Sequence, residues 1–129
     1  MDKQLITELN TKFQRCTYEQ NGVEYWMARD LQILLGYTEW RNFLQVIEKA
    51  KLACYNSHQL LADHFVEVNK TIGLPKGATR DIDDIMLTRY ACYLIAQNGD
   101  PKKGPIAFAQ SYFAIQTRKQ ELRGQRDVA

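Results

Sequence analysis

Arg41, Gln45 and Lys49 recur at every fourth position, and Asn42 stands beside the first of them. On a helix that spacing makes one outward stripe. Arginine with asparagine or glutamine is the side-chain set that reads guanine and adenine edges, and lysine neutralises phosphate. Arg29 stands where a preceding helix would begin and can meet a phosphate. Trp40 and Tyr37 offer aromatic faces for an unpaired base, although tryptophans such as Trp40 and Trp26 are more often core residues than stacking platforms. More cations stand at Lys76, Arg80, Lys102, Lys103, Arg118, Lys119, Arg123 and Arg126. Residues 101–129 hold six basic residues against Glu121 and Asp127. That local excess makes Lys102, Lys103, Arg118 and Lys119 candidate phosphate contacts. A solvated polar face has the same appearance, so spacing alone leaves both readings open.

Other chemistries have less to stand on. His58 and His64 have no cysteine at zinc-finger spacing, so no metal is expected. Asp81, Asp83 and Asp84 are clustered, and hard cations want several oxygens. On a strand Asp81 and Asp83 share one face while Asp84 points away. A metal-dependent nuclease site there is conceivable, with strand-edge charges and helix caps as the ordinary alternative. Cys16, Cys54 and Cys92 are odd in number, far apart and set in apolar stretches, which suits reduced, buried thiols. There is no G-x-S-x-G, P-loop or G-x-G-x-x-G motif. No catalytic residue and no cofactor are expected.

These residues need elements to position them. Leu5, Ile6, Leu9 and Phe13 fit a helix over 3–16, which Asp2 can cap. Asn21-Gly22 predicts a tight hairpin between Tyr18-Glu19 and Val23–Trp26. Residues 27–35 read as a helix ended by Gly36. Thr38 then caps a second helix, Glu39–Ala50, whose inner face is Phe43, Val46, Ile47 and Ala50. Helix, Gly-containing turn and helix over 28–49 have the outline of a helix-turn-helix. A short helical turn is expected at 59–63, a strand at 64–70, a loop from Thr71 to Arg80 and a second strand at 81–87. Thr88 caps a helix ending at Asn98-Gly99. Pro105 suits the first turn of a last helix reaching about Leu122. Its uncharged stretch, 106–117, is either core or a homodimer contact. The expected fold is α+β: a mostly helical single domain with a small antiparallel sheet, a hairpin plus one or two strands.

The 129 residues suit one domain, here 1–122 with a tail at 123–129. A 45% apolar and 25% charged composition excludes wholesale disorder. No run approaches the ~18 apolar residues of a membrane span, and the N-terminus lacks a signal-peptide pattern. A formal charge of +2 says little about nucleic acid.

Longer motifs carry a resemblance. Asn21-Gly22-Val23-Glu24-Tyr25-Trp26-Met27-Ala28-Arg29-Asp30-Leu31 through Leu34-Leu35-Gly36-Tyr37 resembles the start of the BRO-type N-terminal domain of phage antirepressors and large DNA viruses. Gly36-Tyr37-Thr38-Glu39-Trp40-Arg41-Asn42-Phe43, Asp84–Leu94, Gln97–Pro101 and Gln110–Arg118 are more closely similar to the DNA-damage-inducible protein D family. The resemblance covers residues 12–122. It implies a cytoplasmic, bacterial damage-response protein with no assigned enzymatic activity, whose N-terminal domain is associated with DNA. Family members usually continue well beyond Leu122. The expectation is therefore a DNA-binding domain, single- or double-stranded target open. The alternative is a module that engages DNA repair or recombination proteins, which the near-neutral charge favours.

Overall fold

The computed structural model describes residues 3–114. Asp2, the tail, Arg118, Lys119 and the last helix beyond 114 lie outside the described residues. Helix α1 (Lys3–Arg15) is followed by strands β1 (Tyr18–Gln20) and β2 (Val23–Met27). Their turn holds Asn21 at φ 54° and Gly22 at φ 79°, the left-handed pair that two-residue hairpins require. Helices α2 (Ala28–Leu34), α3 (Trp40–Asn56) and α4 (Leu61–His64) come next. Strands β3 (Phe65–Gly73) and β4 (Thr79–Leu87) precede α5 (Arg89–Gln97). A last helix, α6, is described over 104–114, with Pro105 in its first turn.

The expected α+β class is what the structure shows, with one antiparallel sheet in the order β1-β2-β4-β3. β3 and β4 pair along their whole length, from Phe65↔Leu87 to Gly73↔Thr79. β2 meets β4 only at Trp26↔Leu87 and Met27↔Met86. The rest of β3 and β4 therefore runs on as a two-stranded ribbon.

Several boundaries differ from expectation. The 71–80 loop is only 74–78, because the ladder continues to Gly73 and the Leu74 amide donates to the Ala78 carbonyl at 2.8 Å. α3 is capped by Glu39 rather than Thr38, without a side-chain bond, and extends past Ala50 to Asn56. Its inner face is Phe43, Ile47, Ala50 and Cys54. His64 ends α4 instead of opening β3. The Thr88 cap holds: its Oγ1 accepts from the Ala91 amide at 3.2 Å.

The core gathers where α1, β2, α5 and α6 meet. Phe13 is fully buried, with the rings of Phe108, Tyr112 and Phe113 at 5.4, 5.4 and 5.6 Å. Trp26 stacks edge-on to Phe113 at 5.3 Å and donates its Nε1–H to the Phe13 carbonyl at 3.3 Å. Ile106, Ala109 and Phe113 are buried inside the chain itself. Each large side chain so enclosed is worth roughly 1.5–3 kcal/mol of apolar burial. Among the described residues no helix is long and apolar enough to cross a membrane.

Candidate nucleic-acid interface

Burying Phe43, Ile47, Ala50 and Cys54 turns the opposite side of α3 outward. Arg41, Asn42, Gln45 and Lys49 are all exposed. Arg41, Gln45 and Lys49 make a stripe about 12 Å long at the helical rise. Neither Arg41 nor Lys49 forms an ion pair with a described residue.

Gly36 sets how α3 leaves α2. It takes φ 83°, a conformation costly for any side chain with a Cβ. Its amide donates to the Ile33 carbonyl at 3.1 Å, and the Tyr37 amide donates to the Gln32 carbonyl at 3.0 Å. This pair of bonds closes the helix end. Gln32 Nε2 donates back to the Tyr37 carbonyl at 3.0 Å and locks the turn. Tyr37 packs on Phe43, centroids 5.1 Å apart. Burial, then the Asp100 charge, pushes its hydroxyl pKa up.

Lys103 Nζ lies 5.1 Å from the Tyr37 ring, a cation–π contact. The Lys102 amide donates to Asp100 Oδ1 at 2.9 Å and the Lys103 amide to the Asp100 carbonyl at 3.1 Å. The loop before α6 is thus folded against the α2–α3 turn. Lys103 is brought to the turn that precedes α3, and Lys102, its neighbour in the chain, is exposed.

Arg29 and Trp40 stand differently from the stripe. Both are half-buried. The Arg29 guanidinium lies 4.2 Å from the Trp40 ring, its Nε donates to the Asp83 carbonyl at 2.6 Å, and its amide donates to Asp84 Oδ1 at 3.1 Å. One residue therefore clamps α2, α3 and β4 together. Asp84 is fully buried, and its Oδ1 also accepts from the Ile85 amide at 2.8 Å. This buried carboxylate was not anticipated. The signal was the Asp83-Asp84 doublet: on a strand, one of two adjacent residues must face inward.

Sequence reasoning also missed a cleft of about 570 Å³ between α3 and the ribbon. Trp40, Leu44 and Glu48 form one side, and Glu67, Asn69 and Asp83 the other. Asp81 accepts from Thr71 Oγ1 at 2.8 Å on the ribbon. Among the described residues no three of His, Cys, Asp and Glu are placed to hold a metal ion. Cys16, Cys54 and Cys92 are free thiols, and burial raises the pKa of each. That disfavours the nucleophilic thiolate.

The BRO family, N-terminal domain, matches residues 14–114, from within α1 to the end of the described α6. The chain belongs to the BRO family. This BRO-family chain is 54% identical over 102 residues to DNA damage-inducible protein D of Escherichia coli (strain K12). The alignment covers 79% of this chain and 37% of that protein, so the chain spans little more than a third of its relative's length. No solved structure matches.

Proposed function

We propose that this BRO-family domain is a DNA-binding module of a bacterial, cytoplasmic DNA-damage response. It carries no catalytic step of its own. The observation behind this reading is the exposed stripe Arg41, Asn42, Gln45 and Lys49, with Lys103 held over Tyr37 in the turn that precedes α3 and Lys102 exposed next to it in the chain. The name of the E. coli relative supplies the biological setting, and the association of BRO-type domains with DNA that the sequence resemblance implies agrees with it. Arg41 and Lys49 contact phosphate, while Asn42 and Gln45 meet base edges. Arg118 and Lys119 extend the phosphate contacts in the sequence-based reading. Arg29 and Trp40 act from behind, by fixing where α3 begins.

Fluorescence anisotropy with labelled single- and double-stranded DNA, across a salt series, tests this. Replacing Arg41→Ala with Lys49→Ala should lower the slope of log affinity against log salt by about 1.5–2, as two lost phosphate contacts require. Unchanged affinity in a folded double variant sinks the assignment.

A second reading is an interaction module for DNA repair or recombination proteins. The carboxylate-lined cleft beside the basic stripe favours it, since that cleft repels phosphate. Recovery of the same repair proteins before and after nuclease treatment would support this reading over the first.

A further inference from the structure

The cleft between α3 and the ribbon has the opposite electrostatic character to the outward stripe. Glu48 stands on one wall, Glu67 and Asp83 on the other. One lysine serves two of these carboxylates: Lys51 Nζ lies 3.4 Å from Glu48 Oε1 and 3.6 Å from Glu67 Oε1. Asp84 lines the same cleft and is fully buried. Its Oδ1 is committed to the amides of Arg29 and Ile85, while its Oδ2 has no hydrogen-bond partner among the described residues. A carboxylate oxygen shut away from water without a donor is unfavourable. A donor brought by a ligand would satisfy it.

The remaining wall says what kind of donor fits. Trp40 borders the cleft. It already holds one guanidinium, that of Arg29, against its ring, with Nε on the Asp83 carbonyl. The chain itself therefore shows how this corner accommodates an arginine. A guanidinium combines a flat face for stacking on an indole with five donors for carboxylates, whereas an ammonium is a compact, strongly hydrated charge. Phosphate is excluded by the same carboxylates that attract the cation.

We propose that this cleft is a receptor for an arginine side chain presented by a basic segment of a protein partner. The site is separate from the outward stripe of α3, and the proposal stands whether or not the stripe binds DNA. Its volume of about 570 Å³ takes the arginine together with part of its flanking backbone.

The test is an NMR titration of the intact chain with a short Gly/Ser peptide carrying a single arginine. The same peptide with citrulline, which keeps the shape and removes the charge, is the control. The Trp40 indole N–H and the Ile85 amide should shift with the arginine peptide, and citrulline should weaken binding by about tenfold or more. Glu67→Gln with Asp83→Asn should weaken arginine binding about as much. Both side chains are exposed, so this variant should keep its fold, and circular dichroism checks that it does. Arg41→Ala with Lys49→Ala should leave peptide binding unchanged. Equal binding of the citrulline peptide, no binding, or shifts confined to the outward stripe would each overturn the proposal. So would a single-stranded oligonucleotide that shifts the Trp40 and Ile85 signals where the peptide does not, which would make the cleft a base pocket.

Discussion

The two tryptophans of this domain have opposite surroundings. Trp26 is sealed between α1 and α6, with its one donor satisfied by the Phe13 carbonyl. Trp40 sits half-buried at the rim of an acidic cleft with a guanidinium on its face. The first organises apolar surface. The second organises charge. The same side chain thus belongs to the core in one place and to a recognition surface in the other, and the distinction rests on neighbours distant in the chain.

The sharpest way to break that comparison is to remove the sealed ring. Trp26→Ala should cost about 3–5 kcal/mol, since it leaves a cavity among Phe13 and Phe113. That is a large share of the ~5–15 kcal/mol expected for a whole domain, and urea unfolding would show it as a much lower midpoint. Arg29→Ala should cost less, about 1–2 kcal/mol, for one cation–π contact and one side-chain hydrogen bond. It should also alter Trp40 fluorescence while leaving near-UV signals from the Trp26 cluster in place. If Arg29→Ala left stability untouched, the clamp would be wrong and Arg29 would return to the phosphate contacts.

The smallest expected effect concerns pH. His64 Nδ1 lies 2.7 Å from Thr88 Oγ1, the hydroxyl that caps α5, and its ring meets Tyr90 edge-on. Burial lowers its pKa below 6.5, with the Asp63 charge opposing. The unfolded chain therefore takes up the proton first as pH falls. This group's contribution is present above pH 6.5 and is lost progressively below it. Urea midpoints measured from about pH 7 down to about pH 5 should fall less in His64→Gln than in the parent chain.

Much of the fold was legible because its signals are local. Asn21-Gly22 demanded the hairpin, Gly36 the end of α2, and Thr88 the start of α5. The outward stripe was legible for the same reason, since periodicity alone separates it from Phe43 and Ile47. The end of α3 was blurred by Leu52 and Tyr55, apolar residues that are exposed. The full length of the ribbon is hidden in the sequence because Gly73, Pro75 and Gly77 look like loop residues, although Gly73 still pairs with Thr79. The clamp had no local signal: Arg29 finds its partners 54 and 55 positions away. The cleft depends on that same long-range placement, so its carboxylates looked like scattered surface charge.

The short seam between β2 and β4 also orders events in time. β3 and β4 are joined by five residues and can zip early, as a local hairpin does. Trp26 and Met27 must wait until α2, α3 and α4 have been laid down before they reach Leu87 and Met86. Closing that loop carries most of the entropic cost of bringing the sheet together. The two residue pairs at the seam thus act as the latch of the fold. Backbone amides there should exchange with solvent only when the whole domain opens, while those near the ribbon's tip exchange by fraying.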